Sequence, residues 1–362
     1  MKHNVSGKLK LIRETSEELI LGANSPGLLN GKMGGVLFFY QLAKRTNNEE
    51  CEQISDSLLN QVYKDIENEF IPIEFENGLA GIAWGIEYLK QNGMVKDPKK
   101  DVLERIDDRI YQHICSSDES PVGFLNGDLG LILYVLSKVK RMEQRSNDLP
   151  NSLHERILIE LVNRLSDKIE NRKIKFEEPP SFDIVWDLPV CLCMLGKVAK
   201  TGLYDIKLDR IFDELSPVVL SLFPRLQSNR LNLSLGMLSI LQHRKMRDWK
   251  EHINRLIESI SLEKMIQQEL YNNNLTYLDG IAGVSAISRK VAHLYPKWYP
   301  QIPATNMIEA ITSSPFWDDL ANDMMKRNNI GLISGLMGIG LELIYLDEYC
   351  KQNIKLVNPK TA

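Results

Sequence analysis

Long apolar runs are missing from this sequence. No stretch approaches the roughly 18 uninterrupted apolar residues that a spanning helix needs, so no membrane span is expected. Basic runs are missing too: 44 Lys and Arg are interspersed with 48 Asp and Glu, for a net charge of -4. Nothing there tracks a phosphate backbone, and nucleic acid is not an expected partner. Cysteine is sparse. Cys51, Cys115, Cys191, Cys193 and Cys350 form an odd, irregularly spaced set, which argues against a disulfide framework. Cys191-Leu192-Cys193 is not Cys-x-x-Cys, and on a helix its two sulfurs point about 200° apart, so it reads as two small packing residues. Met1 to Lys8 has no apolar core behind its charges. No cleaved secretory signal is expected, and a reducing cytoplasm is the expected compartment.

What the chain does contain is a repeat. Leu29-Asn30-Gly31-Lys32-Met33-Gly34 leads into Gly35-Val36-Leu37-Phe38, and Glu76-Asn77-Gly78-Leu79-Ala80-Gly81 into Ile82-Ala83-Trp84. Leu125-Asn126-Gly127-Asp128-Leu129-Gly130 leads into Leu131-Ile132-Leu133. Leu278-Asp279-Gly280-Ile281-Ala282-Gly283 and Ile333-Ser334-Gly335-Leu336-Met337-Gly338 complete five copies of Gly-x-x-Gly, each opening an apolar run. Two weaker copies fill the gaps. Leu233-Ser234-Leu235-Gly236 keeps one glycine, and Trp186-Asp187-Leu188-Pro189 keeps neither. The motifs fall at 31, 78, 127, 187, 236, 280 and 335, a step that fits two helices and two loops per unit. Glycine within a helix costs ~1 kcal/mol relative to alanine, so its recurrence requires a packing reason. The first glycine is expected to ease the turn into the helix, and the second to admit another backbone.

Helices after the motifs are apolar nearly all round and should be buried. Between them lie amphipathic segments. Their stripes are Leu103, Ile106, Ile110 and Ile114, then Leu153, Ile157, Leu161, Leu165 and Ile169, then Trp249, Ile253, Leu256 and Ile260. Buried helices alternating with half-exposed ones predict an all-α protein, an α/α toroid of about seven helical hairpins in two concentric rings. Residues 1–362 are expected to form one domain, with insertions near 140–181 and 295–316, the latter irregular and proline-rich.

At these motifs the sequence resembles the lanthionine synthetase C-like family, from about Gly27 to Tyr349. The resemblance implies a two-layered α-toroid and chemistry on a ribosomally made precursor peptide. Cyclases of that family add a cysteine thiol to a dehydrated Ser or Thr, with zinc lowering the thiol pKa. It also implies a ligand set of two Cys and one His at the openings of two successive repeats. Here Ser234 stands at one cysteine position, and Leu278 and Asp279 replace the Cys-His pair. Trp186 or Leu235, depending on alignment, stands where a catalytic His is expected. One alignment also puts Asp183 at a family Asp position. No zinc or other cofactor is therefore expected. His3, His113, His154, His243, His252 and His293 lie outside the motifs and read as solvated helix histidines.

Two kinds of chemistry remain. Helix starts around a cavity would offer free N–H donors and positive ends to an anion or a peptide. The carboxylates beside the motifs, Asp183, Asp187, Asp279 and Asp128, are the catalytic candidates, with helix capping as their competing role. The remaining candidate lining is the motif glycines with Trp186 and Ser234. The expected function is peptide maturation, as a zinc-independent or non-catalytic binder of a precursor peptide or of a partner enzyme. The alternative is a carbohydrate hydrolase using paired carboxylates. A repeat count of seven and an aromatic content of only 7% favour the first.

Overall fold

The computed structural model describes residues 4–68, 70–95, 100–116, 120–139, 153–174, 176–270, 274–301, 304–320 and 324–357. Among them all regular structure is helical. The chain runs α1 (Val5–Leu21), α2 (Lys32–Thr46), α3 (Glu49–Asn68), α4 (Leu79–Gln91), α5 (Lys100–Ser116), α6 (Asp128–Lys138) and α7 (Leu153–Glu170). It continues through α8 (Asp187–Ala199), α9 (Asp205–Ser221), α10 (Gln227–Leu241), α11 (Arg247–Glu258) and α12 (Leu262–Lys264), which runs into a π-helical turn at Met265–Glu269. Then come α13 (Ile281–Leu294), a 3-10 turn at Pro296–Gln301, α14 (Ala304–Thr312), α15 (Phe316–Leu320), α16 (Met324–Asn328) and α17 (Leu336–Val357).

Contacts group the chain into two units. The first joins Met1–Glu69 with Ser261–Ala362, and the second is Phe70–Ile260. In the first, α17 packs on α1, α2, α13 and α14. In the second, α4, α6, α8 and α10 pack in succession, with α5, α7, α9 and α11 laid against them.

The expected alternation is present. Every residue of α2 from Lys32 to Ala43 is buried. On α5 the stripe Leu103, Ile106, Ile110 and Ile114 is buried, and so are Trp249, Ile253 and Leu256 on α11. The α7 stripe starts one turn later than the sequence suggests: Leu153 is half exposed, and burial begins at Ile157. One further expectation needs correcting. The segment 295–316 is not irregular, because α14 occupies Ala304–Thr312 and buries Met307, Ile308 and Ile311. Pro296, Pro300 and Pro315 lie in the flanking turns, and Pro303 lies outside the described residues. Of the other expected insertion, 140–152 lies outside the described residues, 153–170 is α7, and the described residues of 171–181 carry no helix.

Five helices start in one way. The N–H of the first helical residue donates to the carbonyl seven residues earlier: Lys32 to Ser25 (2.9 Å), Leu79 to Pro72 (2.8 Å), Asp128 to Pro121 (3.0 Å), Ile281 to Asn274 (3.0 Å) and Leu336 to Asn329 (2.9 Å). The second residue repeats the pattern, as in Met33 to Pro26 and Leu129 to Val122. Each preceding loop therefore curls over its own helix and satisfies with main chain the donors that a helix start leaves open. The curl explains the glycines. At Gly31, Gly78, Gly127 and Gly280 the backbone is extended, with φ between -145 and -107°, so a left-handed conformation is not what glycine supplies. The need is space. A Cβ on Gly127 would meet Pro121 and the Gly123 carbonyl, and one on Gly338 would meet the Leu332 carbonyl and the Tyr277 ring.

Successive loops are also laced to one another. Within the first unit Leu278 N donates to Ile333 O (2.8 Å) and Leu332 N to Leu29 O (2.6 Å). Within the second, Phe75 N and Glu76 N both donate to Leu125 O (3.0 and 2.9 Å).

The fourth and fifth repeats depart from this scheme. Helix α8 starts at Asp187 with Trp186 as its cap residue and no curled loop. Helix α10 starts at Gln227, about two turns before the sequence motif, so Ser234 and Gly236 lie in mid-helix. This corrects the expectation that they mark a helix start. The glycine there serves lateral packing: a Cβ on Gly236 would meet Pro189 and Leu192 of α8, and one on Gly196 would meet Ser239 of α10.

His252 is another correction, being only 3% exposed. Its Nε2 donates to Leu222 O (2.8 Å) and its Nδ1 accepts from Arg255 Nη2 (3.2 Å). Burial pushes its pKa down, and the Arg255 guanidinium adds to that.

Two outcomes follow from this packing. Gly127→Ala is expected to cost at least about 1–3 kcal/mol, since the added methyl meets backbone rather than a movable side chain. Gly93→Asn, at φ 67° with open space around it, is expected to stay within about 0.5 kcal/mol of the parent. Equal urea midpoints for the two would remove the steric account of the motif. For His252 the folded pKa is the lower one, so neutral His252 stabilises above its ordinary pKa of about 6.5, and that contribution is lost as pH falls through the depressed value. Urea midpoints at pH 7.5 and 5.5 are expected to differ less in His252→Gln than in the parent.

Candidate functional site

The curled loops change the chemistry expected at the helix starts. Free N–H donors around a cavity were the sequence expectation, yet in five repeats these groups are occupied by the chain's own carbonyls. An anion or peptide gains little there.

The four carboxylates fall into different settings. Asp128 is the first residue of α6 and fully buried. It accepts from Ser120 Oγ (2.5 Å) and from Lys168 Nζ on α7 (2.5 Å). Lys32 holds the same place after the motif glycine in the first repeat and pairs with Asp65 of α3 at 2.7 Å. The two repeats thus carry one ion pair, from a buried helix to its amphipathic neighbour, with the signs exchanged. Asp279 is exposed, and its Oδ1 accepts from Asn274 Nδ2 (2.6 Å) and Thr276 Oγ1 (2.7 Å), which braces the curl. Asp183 Oδ1 accepts from Val185 N (2.9 Å), and its carbonyl accepts from Trp186 N (3.3 Å) and Asn232 Nδ2 (3.1 Å). Asp187 is the half-buried first residue of α8. The cap residues of α6, α8 and α13 are Gly127, Trp186 and Gly280, none of which caps its helix with a side chain.

The structure brings Asp183, Trp186 and Asp187 together on the segment entering α8, beside Asn229 and Asn232 of α10. The α10 start is held by Glu178, whose carboxylate accepts from Arg225 N (2.6 Å), Leu226 N (2.9 Å) and Asn229 Nδ2 (3.0 Å). Glu178 and the two asparagines escaped the motif-based reading. Two amides three residues apart, flanking Leu231 in a helix with little polar surface, were the available signal. A second cluster, in the other unit, also escaped it. Glu342 is fully buried on α17 and accepts from Tyr277 Oη (2.8 Å), Ser285 Oγ (2.6 Å), Arg289 Nε (3.0 Å) and Arg289 Nη2 (2.6 Å). Burial, with the carboxylate beside it, pushes the Tyr277 phenol well up, so Tyr277 stays a neutral donor. A single Glu in the apolar run Ile339 to Ile344 was its signature. Four donors on one carboxylate read as a structural knot tying the Tyr277 loop to α13 and α17.

Ser234, Leu278 and Asp279, which stand where the resemblance implies zinc ligands, do not fit that ion. Ser234 is fully buried and its hydroxyl donates to Arg230 O (2.8 Å) inside α10. Leu278 has no donor atom in its side chain, and Asp279 is committed to Asn274 and Thr276. Among the described residues no group of three or more His, Cys, Asp or Glu is placed to hold a metal ion. Cys191 is buried, and burial raises its thiol well above the ordinary range, as suits a packing residue.

The paired charges give a direct test. Asp128→Asn is expected to cost about 3–5 kcal/mol, because Lys168 is left nearly buried without its counter-ion. The exchange Asp128→Lys with Lys168→Asp is expected to recover part of that loss, since the first repeat already runs the pair in that sense. Urea denaturation of both singles and the double decides it, and an exchange no better than the worse single would count against the equivalence.

Comparison with known proteins agrees with this architecture. The family model for lanthionine synthetase C-like proteins matches residues 22–183. No curated protein matches the sequence. Among solved structures, nisin cyclase superposes with a TM-score of 0.68 at 14% identity, over 96% of this chain and 95% of that one. That likeness gives the fold, an α/α toroid. The matched segment, residues 22–183, carries the motifs of the first three repeats, and over that stretch the chain is similar to lanthionine synthetase C-like proteins.

Proposed function

We propose that this protein serves lanthipeptide-type peptide maturation by binding a precursor peptide, or a partner enzyme that carries one, without a zinc-held thiolate. The observation that carries the reading is the set of groups at the ligand positions. A hydroxyl buried in mid-helix, an aliphatic side chain and a hydrogen-bonded carboxylate replace two thiolates and an imidazole. The match of residues 22–183 to the lanthionine synthetase C-like family model supports the peptide as substrate class. Among the described residues no helix is long and apolar enough to cross a membrane. We take residues 1–362 as one domain, because the first contact unit is assembled from both ends of the chain. If the protein has chemistry of its own, Asp183 and Asp187 are the carboxylates we assign to it. The hydrolase alternative loses support from Asp128, whose oxygens are taken by Ser120 and Lys168.

Metal analysis of protein purified without chelator tests the zinc-free reading. We expect well under one zinc per chain, and binding of a dehydrated, cysteine-containing precursor peptide that EDTA leaves unchanged. One tightly held zinc per chain, or thioether formation abolished by EDTA, would overturn it.

A further inference from the structure

The segment leading into α8 lies on α10 in the manner of a bound peptide. Glu178 places its carboxylate at the start of α10, where the helix dipole favours negative charge. The following main-chain carbonyls are then read by side chains. Asn229 Nδ2 donates to Pro179 O (3.5 Å), Arg225 Nη2 to Pro180 O (3.1 Å) and Asn232 Nδ2 to Asp183 O (3.1 Å). Phe182, at 3% exposure, anchors the segment, while Pro180 and Ser181 face solvent. One acidic side chain at a helix end, carbonyls read in succession and one buried aromatic anchor are how a protein holds an extended peptide with modest regard for its sequence.

The fit in cis is incomplete. Asn229 spends both amide hydrogens on Glu178 and Pro179, which fixes its orientation and leaves Oδ1 facing no donor. Trp186 Nε1 has no acceptor. Asn229 is fully buried and Trp186 is 5% exposed, so one acceptor and one donor stand unused where the strap meets the helices. A main-chain amide supplies one group of each kind. This sector is also where the curled loops of the other repeats are absent.

We propose that Glu178 to Asp183 is a resident pseudo-ligand. The strap fills a face on α10 that accepts an extended peptide with an acidic residue, and such a peptide in trans displaces it. The idea rests on the peptide-binding reading above and deepens it by naming the face and the acidic anchor.

The probe is a synthetic, fluorescently labelled peptide copying residues 174–186, which tests the face without any precursor peptide or metal. In anisotropy titrations Glu178→Ala is expected to bind it at least tenfold more tightly than the parent, and adding Asn232→Ala is expected to abolish that gain. Equal affinity of Glu178→Ala and parent, or a gain that Asn232→Ala leaves untouched, would overturn the proposal and leave Glu178 as a helix cap. Should Glu178→Ala not fold, hydrogen exchange of the parent with excess probe answers the same question. Faster exchange at 176–186 supports displacement, and unchanged exchange overturns it. Because the probe is the chain's own strap, failure here leaves precursor binding to be judged by its own assay.

Discussion

A loop that folds back so that its carbonyls take the first two N–H groups of the helix it precedes is the constraint on which the rest of this structure depends. Helix starts are normally finished by a Ser, Thr, Asp or Asn side chain. Main chain finishes them here, which frees the cap residue from any chemical duty and requires only that it be small. The glycines follow from that requirement, and so does the lacing: a loop held flat against its own helix presents its remaining edge to the next loop. Leu332 to Leu29 and Leu278 to Ile333 are such edge contacts.

Where the glycines are lost the constraint is lost too, and the sector built from α8 and α10 solves the same problem with side chains. Glu178 accepts from the N–H groups of Arg225 and Leu226 just ahead of α10, and the two helices approach through Gly196 and Gly236 rather than through laced loops. Side chains diverge faster than main-chain geometry permits, so this is the part of the repeat most open to new chemistry.

Much of the fold was legible because periodicity and glycine spacing report directly on burial and close approach. The α2 and α6 runs, the α5 stripe and the α11 stripe appear in the structure as written in the sequence. Legibility failed where one residue type serves two geometries. Gly236 looks like a helix-start glycine, yet it clears space in mid-helix for Pro189 and Leu192. The prolines between 295 and 316 suggest irregularity, yet α14 forms there and the described ones, Pro296, Pro300 and Pro315, lie outside it. His252 sits on an amphipathic helix, and nothing local distinguishes it from the exposed His243. Its burial depends on Leu222, thirty residues away. The candidate site was the least legible for the same reason. Asp128 carries the composition of a catalytic carboxylate, and only the position of Lys168 on another helix reveals a structural pair.

The first contact unit has a consequence for how the chain is made. Helix α1 packs on α17, and α2 on α17 as well as on α3, so part of the packing of residues 1–69 waits until the second unit has been synthesised. At roughly 5–20 residues per second, the intervening segment alone takes on the order of 10–40 s to synthesise. Throughout that interval the apolar faces of α1 and α2 await their partner, while Phe70–Ile260 already has its own core within reach. Vectorial synthesis therefore leaves the α17-facing sides of α1 and α2 open to chaperones and to wrong partners while the second unit is made.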